Sequence, residues 1–283
     1  MSVTEKMDYF DRILTSTAIF TNKQRAMILE VIKSYPNKPG APHRGQPGRR
    51  GGSLSRAGSM ERTLAENEYE DDPDESANNL GMFNSKRISL KGDGRAIAKP
   101  APNLAVLQRF GLKERDSLEY EVKTYELSKD LGLDGLVPPT IERDGMSVQQ
   151  WKEGCSTLNM FNLVNGSQLR SSTKIRNSFG DMAFLDIVSA NLDRHGANII
   201  VDGEENVFAI DNGLAFHFTN ENPERYVRNM TLSENALFRT STKAKIKKMF
   251  NNYTYRKSVS DKYGLDDGKL KDRIGWLINR FKL

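Results

Sequence analysis

An Asp and an Asn five residues apart, followed by two short apolar runs and a second Asp, constrain this fold most strongly. Asp193 and Asn198 precede the runs 199–201 and 207–210, which flank a polar turn that contains a glycine. β-Branched and aromatic runs around such a turn predict a β-hairpin. A hairpin returns the chain to its starting point, so we expect Asp211 to lie beside Asn198, although thirteen residues separate them.

This arrangement suits a divalent cation and a proton acceptor. Mg²⁺ prefers hard oxygen ligands, uses few protein carboxylates and completes its octahedron with phosphate oxygens and water. Asn198 and Asp211 are therefore the predicted metal ligands, and Asp193 the predicted general base or substrate-orienting carboxylate. Asp, Asn and Gly are also ordinary turn residues. The second Asp after a hairpin favours the catalytic interpretation.

The sequence predicts three further elements, two before residue 150 and one after it. Runs 87–90 and 95–99 flank a Gly-Asp-Gly turn and predict a second hairpin, with Lys99 at its end. Apolar residues at near-helical spacing predict a helix over 118–131, and an apolar helix is predicted over 179–190.

Two segments carry a family resemblance. Residues 191–201 (Asn-Leu-Asp-Arg-His-Gly-Ala-Asn-Ile-Ile-Val) and 209–216 (Ala-Ile-Asp-Asn-Gly-Leu-Ala-Phe) resemble the catalytic loop and metal-binding segment of the phosphatidylinositol 3-/4-kinase-like superfamily. HipA-like and actin-fragmin type kinases are relatives within the same broad fold. In these families Arg follows the catalytic Asp, as Arg194 follows Asp193, whereas typical eukaryotic protein kinases have His-Arg-Asp.

The resemblance implies an α+β, two-lobed protein-kinase-like fold. It has a small N-lobe made of a sheet plus a helix, here about 79–153, and a mainly helical C-lobe, about 154–283. The resemblance also implies ATP as cofactor with Mg²⁺, for which Mn²⁺ is an alternative. Lys99 then contacts the α/β-phosphates, and Glu121 pairs with it. Glu119 stays open as the partner, although neighbouring helix positions point in different directions.

The resemblance also assigns residues to the adenine end and to the phosphate end of ATP. Gln150 to Glu153 correspond to the hinge that binds the adenine edge, with Trp151 or Met146 packing near the base; Trp151 could equally be a core residue. No Gly-x-Gly-x-x-Gly motif and no P-loop occurs in the chain. Residues 81–86 are the candidate phosphate loop, in which backbone amides and the Ser85 hydroxyl would bind oxygens.

Three functions remain open. The leading one is ATP- and Mg²⁺-dependent transfer of the γ-phosphate to a hydroxyl of a protein or lipid. AMP transfer on the same scaffold requires ATP in a flipped orientation, which the motif residues do not distinguish. The third function is that of a basic structural protein that binds nucleic acid or belongs to a virion. Its kinase-like domain would be inactive. The Ala-Pro-Glu segment that follows the metal-binding Asp in eukaryotic protein kinases is missing.

The N-terminal third differs from the rest in composition. Residues 1–35 predict a short helical segment. Residues 36–64 contain six Gly, four Pro and six Lys/Arg against one Glu, and residues 65–76 contain seven Asp/Glu without a basic residue. Such composition predicts a disordered linker over 36–78, first basic and then acidic. The basic part resembles linkers of phage head-associated proteins.

Charge and cysteine content indicate partners and compartment. From Glu221 onward fifteen Lys/Arg face seven Asp/Glu, and Lys243 to Phe250 have an amphipathic helical pattern. Such a face could meet an anionic lipid, nucleic acid or an acidic protein, but is more often solvated. A last helix is predicted over 270–283.

Cys155 is the single cysteine, no apolar run is long enough to span a membrane, and no targeting segment is evident. We therefore expect a cytoplasmic enzyme, in a host cell or virion if it is phage-encoded.

Overall fold

The computed structural model describes residues 53–71, 85–91, 94–227 and 235–283. The predicted helices over 1–35, the basic linker up to residue 52 and most of the candidate phosphate loop lie outside these ranges. The described chain begins with α1 (Ser53–Glu66) and a five-stranded antiparallel sheet in the order β1-β2-β3-β5-β4. Its strands are β1 (Tyr69–Asp71), β2 (Lys86–Leu90), β3 (Arg95–Pro100), β4 (Thr140–Arg143) and β5 (Met146–Gln150).

The predicted hairpin around residues 91–94 is confirmed as β2 and β3. Ile88 pairs with Ala96 across the two strands, and Ala98 pairs with Val148 on β5. Side chains alternate between the faces of a strand, so these apolar residues share one buried face. The opposite face carries Lys99 and faces the cleft between the lobes.

The prediction of a disordered linker is wrong over its described C-terminal part. Residues 53–71 form α1 and β1, and Leu64 is completely buried against the apolar face of the sheet, next to Ile88 and Val148. Met60 and Leu64 are four residues apart and therefore lie on one face of the helix. The average composition of residues 36–64 conceals this pair, and the compact unit that contains the sheet begins before residue 79.

Two helices lie between β3 and β4. A short helix, α2 (Leu104–Phe110), precedes α3 (Asp116–Asp130), which confirms the helix predicted over 118–131. Leu118, Tyr125 and Leu127 are buried. Gly132 follows the C-terminal end of α3, and its φ of +62° is one that glycine adopts readily.

The C-lobe is mainly helical around one buried helix. A small sheet of β6 (Ser156–Thr157), β7 (Ile199–Val201) and β8 (Val207–Ala209) accompanies α4 (Leu158–Ser171) and α5 (Thr173–Ser189). Every residue of α5 from Ser178 to Ser189 is buried. The helix predicted over 179–190 is therefore confirmed, with a start six residues earlier, where Ser172 Oγ caps the Ile175 amide at 3.2 Å.

The chain ends in three helices that close this core. They follow a 3₁₀ helix (Pro223–Val227) and are α6 (Thr240–Asn251), α7 (Tyr253–Tyr263) and α8 (Asp267–Phe281). The amphipathic helix predicted at Lys243 to Phe250 and the last helix are confirmed. Ile246, Ile274 and Leu277 are completely buried. The two-lobed α+β architecture matches the predicted fold class. Among the described residues no helix has the length and apolarity to span a membrane.

Candidate active site

The β7–β8 hairpin brings the two predicted metal ligands together. Ile199 pairs with Ala209, and the Ile210 amide donates to the Asn198 carbonyl at 3.1 Å. Asn198 and Asp211 therefore leave adjacent ends of one hairpin, as the sequence pattern predicts. Asp211 has a φ of +55°, a left-handed conformation that is uncommon for a residue other than Gly. Such strained backbone is often found at functional sites.

Asn198 also holds Asp193. Its amide nitrogen donates to the Asp193 carbonyl at 2.9 Å and to Asp193 Oδ2 at 3.3 Å. Because these bonds use the nitrogen, the amide oxygen remains for a cation. The Asp193 amide in turn donates to Asn191 Oδ1 at 2.9 Å, which fixes the start of the loop.

Arg194 joins the catalytic loop to the metal-binding segment. Its side chain is buried, and Nη1 donates to the Asn198 carbonyl at 2.8 Å and to the Ile210 carbonyl at 2.7 Å. Nε donates to Asp186 Oδ2 at 3.1 Å, and Nη2 donates to Asn212 Oδ1. One guanidinium therefore sets the spacing of the backbone segments that carry the two predicted ligands.

Sequence reasoning used Arg194 only as a mark of resemblance and missed its partner. Asp186 lies on α5 and is completely buried, and burial raises the pKa of its carboxyl although the Arg194 guanidinium opposes this shift. A single acidic residue within the apolar run of 182–188 is the signal that could have revealed it. A buried carboxylate requires a partner, and the next arginine in the sequence is Arg194.

Lys99 bridges the two lobes at the floor of the cleft. Its ammonium donates to Glu121 Oε1 at 2.5 Å and to Asp211 Oδ1 at 3.2 Å. Burial lowers the pKa of Lys99, but the carboxylates of Asp211 and Glu121 outweigh burial and raise it. Lys99 therefore stays charged. Glu119, the alternative partner, instead contacts Lys123 at the surface, at 3.4 Å.

These groups open into a cleft of about 610 Å³ between the lobes. Of the remaining predicted site residues, Ser85, Gln150 and Trp151 line the cleft, whereas Glu153 does not. Glu153 is exposed, and its carboxylate lies 3.3 Å from Arg95 Nη1. The structure thus places the Glu153 carboxylate outside the lining of the cleft, and its role in nucleotide binding stays a prediction.

The hinge differs in detail from the prediction. The Gln150 amide donates to the Pro139 carbonyl and the Trp151 amide to the Arg95 carbonyl, both at 2.9 Å, so neither is free for a base. Met146 packs on the apolar face of the sheet, so of the two residues predicted to pack near the base only Trp151 lines the cleft. The Arg87 guanidinium lies 5.4 Å from the Trp151 ring centroid.

Two chemically distinctive residues near the hinge were not predicted as site residues. Lys152 and Cys155 both line the cleft. Burial lowers the pKa of Lys152, whose ammonium donates to Gln150 Oε1 at 2.7 Å. Burial, reinforced by Asp202, raises the pKa of the Cys155 thiol to about 11. The thiol is therefore protonated at neutral pH.

Asp193 and its neighbours form the reactive end of the cleft. Burial raises the pKa of Asp193, the charge of His195 lowers it, and the Asp211 carboxylate raises it further. His195 Nε2 lies 3.9 Å from Asp193 Oδ1, and its side chain is more than half exposed. A carboxylate with a raised pKa, close to a second carboxylate in a cleft, is suited to accept a proton.

The donors around Asp211 fit a hard divalent cation. Its Oδ1 accepts from Lys99, so its other oxygen and the Asn198 amide oxygen are available. Among the described residues no three His, Cys, Asp or Glu side chains converge on one point. An ion held by one carboxylate and one amide needs further oxygens from phosphate and water, as Mg²⁺ commonly does beside a nucleotide.

The segment after Asp211 packs tightly on the N-lobe. A Cβ atom added to Gly213 would lie 2.4 Å from Ser117 Oγ at the start of α3, so only glycine allows this approach. Phe216 stacks on Tyr263, with ring centroids 6.0 Å apart, and His217 Nε2 lies 2.7 Å from the Phe110 carbonyl. The metal-binding segment is thus held against α2, α3 and the C-lobe.

Comparisons with solved structures agree with this architecture. A crystal structure of the golgi casein kinase matches with a TM-score of 0.51 and 12% identity, over 81% of this chain and 76% of that chain. The Helicobacter pylori proinflammatory kinase CtkA matches with a TM-score of 0.41 and 14% identity, over 77% and 95% respectively. No family model and no curated protein matches the sequence. The first likeness shows a protein-kinase-like fold; it does not distinguish the phosphatidylinositol-kinase-like or HipA-like branch.

Proposed function

We propose that this protein is an ATP- and Mg²⁺-dependent phosphotransferase that transfers the γ-phosphate to a hydroxyl group of a protein or lipid. The observation that carries the proposal is the bridge formed by Lys99 between Glu121 and Asp211. A lysine held by a helix carboxylate, beside the carboxylate that binds the metal, is the phosphate-binding arrangement of kinases. Asn198 and Asp193 lie on the neighbouring loop and complete the set.

Each residue has a defined task in this proposal. Lys99 binds the α/β-phosphates, and Glu121 keeps its ammonium in place. Asn198 and Asp211 hold the cation, which when bound neutralises charge on the β/γ-phosphates. Asp193 orients the acceptor hydroxyl and accepts its proton. Trp151 packs beside the adenine, and Ser85 lies where its hydroxyl can donate to a phosphate oxygen.

The acceptor is defined only as a hydroxyl group. The sequence resembles phosphatidylinositol 3-/4-kinase-like and HipA-like enzymes, which supports a lipid or a protein acceptor. The basic face of α6 provides an exposed lysine, Lys247, that would suit an anionic partner. Lys245 donates to the Gly132 carbonyl and Lys248 lies over the Tyr255 ring, so these two are partly occupied within the chain.

One observation favours AMP transfer as a second candidate. Lys152 places a second ammonium group in the cleft, at the hinge beside Gln150. If ATP bound in the flipped orientation, Lys152 could contact its terminal phosphates. The α-phosphate would then be the group that is transferred.

An inactive kinase-like domain in a structural protein is disfavoured, because an inactive site has no need to retain Lys99, Glu121, Asn198 and Asp211 in this geometry.

Parallel incubations with γ-labelled and α-labelled ATP and Mg²⁺ test the proposal. The first incubation contains the protein alone, and others add a protein or phosphoinositide acceptor. We expect label from γ-labelled ATP in the acceptor or the chain itself, with ADP as product. Label from α-labelled ATP with release of pyrophosphate would instead establish AMP transfer. Absence of any nucleotide turnover, with Mg²⁺ or Mn²⁺, would refute both forms of catalysis.

A further inference from the structure

A residue outside the sequence-predicted catalytic domain contacts the helix that carries Glu121. Glu61, on α1, accepts hydrogen bonds from the Tyr125 hydroxyl and from Lys129 Nζ, the latter at 2.9 Å. Both donors belong to α3. The Glu61 side chain is 28% exposed, so solvent only partly screens these contacts. The Tyr125 side chain is almost completely buried.

The contact lies close to the phosphate-binding pair. Tyr125 follows Glu121 by four residues and Lys129 follows it by eight, so the three residues lie along one side of α3. Four residues of α-helix span about 6 Å. A shift of α3 at Tyr125 therefore moves the Glu121 carboxylate by a similar distance, because a single helix of this length behaves as a rigid element.

The C-terminal turn of α1, directly after Glu61, is attached to the sheet. Leu64 is completely buried on the face that also contains Ile88 and Val148. Arg143, at the end of β4, donates from Nη1 to the Leu64 carbonyl at 2.9 Å and to the Asn67 carbonyl at 2.6 Å. These bonds satisfy carbonyls at the C-terminal end of α1, which have no partners within the helix.

Through its contacts with the sheet and with α3, α1 connects the element that carries Lys99 to the element that carries Glu121. Lys99 extends from β3, in the sheet to which α1 is fixed, and Glu121 extends from α3, which Glu61 holds. We propose that Glu61 is a positioning residue that sets the distance between Lys99 and Glu121 by holding α3 against α1. This inference rests on the proposed function, since it assigns Glu61 a task in binding the phosphates of ATP.

The proposal differs from a purely structural role for Glu61. If Glu61 acts through Glu121, its loss has no further effect once the Glu121 carboxylate is gone. If it only supports the N-lobe, its loss adds to any other change. Coupling between two substitutions separates these cases, since residues that act through one another give non-additive effects.

The experiment compares Glu61→Gln, Glu121→Gln and the double variant in the full chain. Glu68→Gln is the matched control, because Glu68 lies two residues after the end of α1 and pairs with Lys91 at the surface, at 2.6 Å, and not with α3. Steady-state kinetics with Mg²⁺ and ATP give kcat and KM, and thermal unfolding shows that each variant is folded. We expect Glu61→Gln to lower kcat/KM for ATP about three- to tenfold, as the loss of a charge-assisted contact does.

The predicted pattern has two parts. Glu68→Gln keeps wild-type kinetics, and the double variant is no slower than Glu121→Gln alone. Wild-type kinetics for Glu61→Gln, or fully additive losses in the double variant, would overturn the inference while the proposed function stands. If the wild-type chain turns over no ATP, the proposed function fails and the inference fails with it.

Discussion

Lys99 Nζ lies 3.2 Å from Asp211 Oδ1, although 112 residues separate them in the chain. One residue ends a strand of the N-lobe, and the other follows a hairpin of the C-lobe. Their contact closes the cleft at its floor and links the proposed phosphate-binding lysine to the proposed metal-binding carboxylate. The proposed chemistry depends on this link.

Replacing Lys99 by Met should abolish productive ATP binding and also destabilise the protein. The Glu121 carboxylate would lose its buried partner, and breaking a buried pair from one side costs about 3–5 kcal/mol. The expected melting temperature is therefore clearly lower than that of the wild type. Lys91→Met is the control, because its pair with Glu68 is exposed. Equal melting temperatures for the two variants would contradict the account of a buried pair.

Replacing Asp193 by Asn should lower kcat about 10²- to 10⁴-fold, the usual contribution of a positioned acid–base group. Because the pKa of Asp193 is raised above its ordinary value and the carboxylate is the active form, the wild-type rate falls as pH drops through that raised value. His195→Gln removes a charge that lowers this pKa. The acidic limb of the pH profile of kcat/KM therefore moves to higher pH. A limb that stays in place or moves to lower pH would refute this assignment.

Replacing Arg194 by Met should destabilise the protein and disrupt the metal-binding segment together. Asp186 would remain buried without its guanidinium, which costs about 3–5 kcal/mol. The carbonyls of Asn198 and Ile210 would also lose a donor. Arg115→Met, at an exposed pair with Glu142, is the control. Chemical denaturation measures both variants, and similar unfolding free energies would show that Arg194 is not a structural link.

Shortening the chain tests where the catalytic unit begins. Removing residues 1–52 leaves every described contact in place, so residues 53–283 should fold on their own. Removing residues 1–76 also removes Leu64 and Glu61 and uncovers the apolar face of the sheet. Leu64→Ala alone should cost about 2–5 kcal/mol. A fully stable, active 77–283 fragment would show that α1 is dispensable.

The sequence predicts the local elements of the site well. The hairpin that joins Asn198 to Asp211 follows from two β-branched runs around a polar turn, and a hairpin needs only neighbouring residues. The pairing of Lys99 with Glu121 required the family resemblance, because no local rule relates a strand end to a helix that starts seventeen residues later. The structure then favours Glu121 over Glu119.

The errors arise where tertiary contacts override composition. Glycine and arginine between residues 36 and 64 suggested a linker, but one buried leucine, Leu64, is enough to dock α1 on the sheet. Glu153 was assigned to the nucleotide site from its place after the hinge, whereas the structure places its carboxylate at the surface beside Arg95. The partnership of Asp186 with Arg194 was missed, since eight residues and a helix end separate them.

Transfer of label from γ-labelled ATP by the wild type and by Asp211→Asn is the most direct test of the central claim. Asp211→Asn keeps the size of the side chain and removes the charge that binds both the cation and Lys99. Asp202→Asn, in the turn between β7 and β8, is the matched control. We predict transfer by the wild type and by Asp202→Asn, and at least about a hundredfold less by Asp211→Asn. Equal transfer by all three proteins would contradict the proposed active site.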